Sequence, residues 1–147
     1  MPIPLLTHAV GLAVALAVPL SAAASEPDPL EAERWKTRPV VVVVPQDNDP
    51  LLLRVRATLA GTAGREAFRE RDMALYTVVD GRGSRNGQAL SAAQTQALLG
   101  ALALDARGPA ALVLVGLDGG VKMREGPEVD LTTVFAEIDR MPMRRQR

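Results

Sequence analysis

Arg38-Pro39-Val40-Val41-Val42-Val43-Val44-Pro45, followed by Gln46-Asp47-Asn48-Asp49-Pro50, is the stretch on which the reading of this chain turns. Five consecutive valines between prolines show no alternation of apolar and polar residues. They predict a short strand buried on both faces, in the middle of a sheet covered by helices. Valine is stiff at χ1 and suits a pleated surface better than a helix. The next residues predict an abrupt change to helix. Asp49 suits the N-cap and Pro50 the first helical position. Leu52, Val55 and Leu59 then recur at three- and four-residue steps, with Arg54 and Arg56 off that stripe.

Beyond this helix, Gly61 and Gly64 end or kink it, and Arg65–Arg71 reads as an exposed, charged turn around Phe68. Met73–Asp80 predicts a second strand, and Gly81–Gly87, with Arg82 and Arg85, a flexible loop. Ser91 and Gln94 have the spacing of a capping box for a helix whose apolar face holds Leu98, Ala101 and Leu102. Arg107-Gly108-Pro109 stops that helix. Ala110–Leu117 predicts a third buried strand, Asp118-Gly119 a hairpin turn and Val121–Arg124 its return strand. Asp130 caps a last helix with the stripe Leu131, Val134, Phe135 and Ile138, and Pro142 ends it. The order β-α-β-α-β-β-α predicts one α/β domain over residues 38–142, with a central mixed sheet flanked by helices. Its first two strands are parallel through a right-handed crossover.

Toward the N-terminus, residues 25–37 read as a loose leader with a short helical turn, in which Trp35 is an apolar anchor. Residues 1–25 carry no Asp, Glu, Lys or Arg, and the apolar run Ala9–Leu20 is 12 residues long. Spanning a bilayer takes roughly 20, so the run fits the apolar region of a signal peptide. Pro19 breaks it, and Ala22-Ala23-Ala24 supplies small residues for a peptidase. The expectation is a signal peptide over residues 1–24, cleaved after Ala24, and an exported protein in a periplasm or outside the cell. The absence of Lys or Arg ahead of the run departs from the usual pattern and leaves an uncleaved anchor as the alternative. Residues 143–147 form a basic tail with Arg144, Arg145 and Arg147.

The order of elements resembles the thioredoxin fold. The helix after the first strand starts where a thioredoxin carries its Cys-x-x-Cys, and Pro109 lies near the position of its cis-proline. Leu-Val-Gly-Leu-Asp-Gly-Gly-Val-Lys-Met-Arg at 114–124, Ile-Asp-Arg-Met-Pro-Met-Arg-Arg-Gln at 138–146 and Arg38-Pro39-Val40-Val41-Val42 are similar to the bacterial family catalogued as domain of unknown function 4174. The resemblance covers about residues 36–146 and implies a thioredoxin-like fold, similar to a domain of some animal extracellular-matrix proteins. It implies no activity. Gln46-Asp47-Asn48-Asp49 stands at the thioredoxin active-site position, so no redox residue carries over.

Composition narrows the chemistry. Of 147 residues, 48% are hydrophobic, enough for a core, and 17 basic side chains balance 17 acidic ones, so the charge of a nucleic-acid binder is missing. The chain has no cysteine, which excludes disulfides, thiol redox chemistry and zinc-thiolate sites. His8, the one histidine, falls inside the expected signal, leaving no Ser–His or Cys–His pair and no histidine-ligated metal. Asp47, Asn48 and Asp49 have oxygens suited to a hard cation, but helix capping uses the same residue types and is the preferred reading. Arg82 and Arg85 in a glycine-rich loop suit an anion, without the spacing of a phosphate-binding loop.

The topology brings the loops after the first two strands and before the third to one end of the sheet. The candidate binding face is therefore Asp47, Asp49, Asp80, Arg82, Arg85, Arg107 and Pro109. The expectation is a non-catalytic binding or scaffold module for a protein or peptide, without metal or cofactor. The alternative is an enzyme using carboxylates or a bound cation around Asp47, Asp49 and Asp80.

Overall fold

The computed structural model describes residues 27–142, together with Pro2. The expected signal peptide and the basic tail lie outside the described residues. A six-stranded mixed sheet has the order β4-β3-β2-β1-β5-β6. Its strands are β1 (Arg38–Val44), β2 (Met73–Val79), β3 (Arg82–Arg85), β4 (Gln88–Ala89), β5 (Ala111–Val115) and β6 (Val121–Glu125). Four helices flank it: α1 (Pro50–Ala60), α2 (Thr62–Glu70), α3 (Ala92–Leu102) and α4 (Leu131–Asp139). Only β1 and β2 pair in parallel, Arg38 opposite Met73 through Val44 opposite Val79. Antiparallel β5 lies on the other side of β1, with Val41 opposite Val113. The inner order β2-β1-β5-β6 is consistent with a thioredoxin-like arrangement.

The valine run does what its uniform composition predicts. Val40, Val42 and Val44 pack with Leu51, Leu52 and Val55 of α1 and Leu131, Val134 and Ile138 of α4. Val41 and Val43 pack on the other face with Leu98, Leu99 and Leu102 of α3. All seven residues of β1 are buried, so a polar replacement there meets protein on either side. Three caps read from sequence are in place. Asp49 Oδ1 accepts the Leu51 N–H at 3.0 Å. Asp130 Oδ1 accepts the Thr133 N–H. Ser91 and Gln94 form both halves of the capping box.

Four expectations are corrected. Residues 81–87 are not a flexible loop. β3 leaves β2 through a tight turn at Asp80-Gly81, and β4 leaves β3 through another at Asn86-Gly87. All four turn residues have positive φ, as two-residue hairpin turns of the mirror-image type require. Arg65–Arg71 is not an isolated turn: Thr62–Glu70 is a helix, with Phe68 on its inner side against the core. On α3 the buried partner of Leu98 and Leu102 is Leu99, while Ala101 is exposed. Trp35 is not an anchor. It follows a single 3₁₀ turn at Glu31–Glu33, adopts φ 62° and is 65% exposed. No peptide bond among the described residues is cis, so Pro109 is trans, unlike the proline of the fold it resembles.

Candidate functional site

Parallel pairing of β1 and β2 carries the chain out of both strands at one end of the sheet, and antiparallel pairing brings the approach to β5 to that same end. There Pro45, Gln46, Asp47, Asn48, Val79, Asp80 and Arg82 line an open cleft of about 460 Å³. Each wall has a local cause. Pro45 ends the ladder of β1, and the chain turns before Asp49 starts α1. Asp80 sits in the left-handed region because the hairpin turn requires it, and its N–H donates to the Val44 carbonyl at 3.2 Å, tying the two walls together. Arg82 opens β3 directly opposite Val79. The lining thus holds two carboxylates, two amide side chains and one guanidinium. Among the described residues, the side chains of Asp47, Asp80 and Arg82 form no ion pair.

The structure brings together three of the seven residues expected on this face. Asp47, Asp80 and Arg82 share the cleft. Asp49 stands at its edge in sequence, and its Oδ1 is engaged in capping α1. Arg107 and Pro109 belong to the loop between α3 and β5, at this end of the sheet but outside the cleft lining; the Arg107 N–H is held by Asp105 Oδ1 at 2.9 Å.

Arg85 is elsewhere. The hairpin reverses the chain, so Arg85 lies opposite Tyr76, three positions back along β2 from Val79. Its Nε–H donates to Glu33 Oε1. The same oxygen accepts the Tyr76 hydroxyl at 2.8 Å, and Glu33 Oε2 accepts from Thr37. Burial disfavours the Glu33 carboxylate, but hydrogen bonds from Arg85, Thr37 and Tyr76 together outweigh it and hold the acid below its ordinary range. Burial, and then the neighbouring Glu33 carboxylate, push the Tyr76 phenol well up, so it stays a donor. The Glu33 hydrogen bond likewise raises Arg85. This cluster is closed on itself and ties the leader to β2 and β3. Glu33 was not singled out from the sequence, because its partners Tyr76 and Arg85 lie 43 and 52 residues away.

The chemical capacity of the cleft is recognition by charge and hydrogen bonding. Asp47 and Asp80 suit a cationic group, Arg82 a carboxylate, and Gln46 and Asn48 the donors and acceptors of a peptide backbone. Among the described residues, no three His, Cys, Asp or Glu side chains cluster as metal ligands.

No curated protein and no solved structure is detectably similar to the chain. A family does match, over residues 29–147. That span takes in the leader that supplies Glu33, the whole sheet and all four helices. The chain therefore belongs to the family described as Domain of unknown function (DUF4174).

Proposed function

We propose that this protein is an exported, non-catalytic binding module that takes a mixed-charge peptide segment in the cleft between the β1–α1 loop and the β2–β3 turn. One observation carries the reading: Asp47, Asp80 and Arg82 converge on one cleft while forming no ion pair among themselves or with other described residues. Charged side chains that the fold does not use are available to a partner. The fitting ligand has a Lys or Arg for the two aspartates, a carboxylate for Arg82 and a free backbone for Gln46 and Asn48. Export rests on the apolar run Ala9–Leu20 and the alanines at 22–24. The family's similarity to a domain of animal extracellular-matrix proteins is in keeping with a binding role.

An enzyme built on Asp47, Asp49 and Asp80 has less support, since the Asp49 oxygen is occupied by the Leu51 amide. A panel of short Lys- and Glu-containing peptides tests the proposal. A peptide that binds the parent should lose about tenfold or more in affinity on Arg82→Ala or Asp80→Ala, as expected for a charge-assisted contact. The exposed Glu66→Ala on α2 should leave affinity unchanged. Equal effects from Glu66 and from the cleft residues would contradict this assignment.

A further inference from the structure

At the other end of the sheet, where β1 begins, the chain presents Arg34-Trp35-Lys36, all three exposed. Trp35 is the single tryptophan of the chain. A bulky residue at φ 62° is strained, and the turn would accommodate Gly or Asn more easily. The conformation is enforced from outside: the Trp35 N–H donates to the Leu117 carbonyl at 2.7 Å. Arg34 lies along the backbone of Gly119, where a Cβ would come within 2.5 Å of its Nε. The turn is thus fastened to the β5–β6 hairpin with the indole directed away from the core. A residue needed only for folding would not be held at 65% exposure.

The same hairpin meets the end of the described chain. Leu117, Asp118 and Lys122 line a mostly apolar hollow of about 260 Å³ together with Met141 and Pro142. The five residues that follow Pro142 include Arg144, Arg145 and Arg147. Lys122 and Arg140 are matched within the fold by Asp118 and Glu137, whereas Arg34 and Lys36 form no ion pair among the described residues. Glu31, exposed on the same turn, opposes them. The balance remains cationic once the three arginines after Pro142 are counted.

We infer that this end of the domain docks on an anionic lipid bilayer, with Trp35 at the depth of the headgroups and Arg34, Lys36 and the arginines after Pro142 on the lipid phosphates. An amphipathic indole flanked by cations suits that boundary, where its ring is buried and its N–H stays wet. Basic residues supply attraction that depends on surface charge and falls with salt. A bilayer fits better than an acidic protein because the cations are spread over two chain segments with no groove to fix a partner's orientation. Docking here would turn the Asp47–Asp80–Arg82 cleft, about 20 Å away along β1, toward bulk water.

Trp35 reports on its own surroundings, so its fluorescence is the test. The full chain is titrated with vesicles of neutral phosphatidylcholine and with vesicles containing phosphatidylglycerol. The expected result is a blue shift with the anionic vesicles that weakens about tenfold or more in high salt and is nearly absent with neutral ones. Arg34→Glu with Lys36→Glu should weaken the same titration by at least about tenfold while the thermal midpoint stays near the parent's. No shift with anionic vesicles would overturn the proposal. So would a shift of equal size with neutral vesicles that ignores salt, because insertion would then come from an apolar segment rather than from this patch.

Discussion

Two groups of charged side chains in this domain look alike in composition and differ in what surrounds them. Glu33, Arg85, Thr37 and Tyr76 meet beneath the leader, where the carboxylate receives a hydrogen bond from each of the other three. Asp47, Asp80 and Arg82 meet at the end of β1 and β2, around an open cleft, with no ion pair among them. The first group is saturated by the fold and fastens one part of the chain to another. The second is positioned by the fold and left with its hydrogen-bonding capacity unspent. Sequence proximity to a loop does not distinguish the two, since Arg82 and Arg85 lie on the same short strand and fall into different groups. The difference lies in partners.

The sharpest way to break this comparison is to delete one carboxylate from each group. Glu33→Ala leaves a buried phenol and a part-buried guanidinium without their acceptor, and should cost about 2–4 kcal/mol in urea unfolding. Asp80→Ala should stay within about 1 kcal/mol, with the loss of its turn preference as the main effect. Similar losses at both positions would erase the distinction.

A packing test comes next. A Cβ at Gly83 would lie 2.4 Å from Thr95 Oγ1, beneath α3. Gly83→Ala should therefore destabilise the domain by about 1–3 kcal/mol. A flexible loop at 81–87 would absorb the methyl with no change in the melting curve.

Acid sensitivity sharpens the contrast further. The folded state lowers the Glu33 pKa from its ordinary 4.5. The stability this supplies is present above the unfolded-state value and is lost as pH falls through the lower, folded one. Asp118 and Asp130, both held low by local hydrogen bonds, add to the same trend. Urea midpoints measured from pH 6 down to pH 3 should fall for the parent and fall less steeply for Glu33→Gln. Parallel curves would mean that the Glu33 carboxylate is not held in its charged form by the fold.

The smallest effect separates a capping aspartate from a ligand-facing one. Asp49→Ala should cost about 1 kcal/mol through loss of the α1 cap, whereas Asp47→Ala should stay within about 0.5 kcal/mol. Equal thermal midpoints for the two variants would assign Asp49 to the cleft.

What was legible in the sequence follows from how local the cause is. The valine run, the Asp49, Ser91 and Asp130 caps and the Asp118-Gly119 turn act within a few residues, and all are where the sequence places them. The β3–β4 hairpin was obscured because Gly-Arg-Gly-Ser-Arg has no apolar alternation, although Asp80-Gly81 and Asn86-Gly87 are strong hairpin-turn signals. What holds β3 is nonlocal: backbone pairing with β2, the Thr77–Ser84 hydroxyl contact at 2.6 Å and the packing of Thr95 over Gly83. α2 was hidden by Gly64 and its dense charge, since only Phe68 marks its inner side. Trp35 defeats the usual assignment of a lone tryptophan to the core, because a hydrogen bond from a residue 82 positions later fixes its turn. Three of the seven expected site residues share the cleft, and Arg85 is elsewhere because the hairpin carries it back along β2.

The most direct measurement is a two-dimensional ¹⁵N NMR titration of the domain with a short peptide carrying one Lys and one Glu. The account predicts that the amide signals of Gln46, Asp47, Asn48, Asp80, Gly81 and Arg82 move together along one saturable curve, while those of Glu33, Thr37 and Arg85 stay in place. Movement confined to Glu33, Thr37 and Arg85, with the cleft signals unchanged, would contradict it.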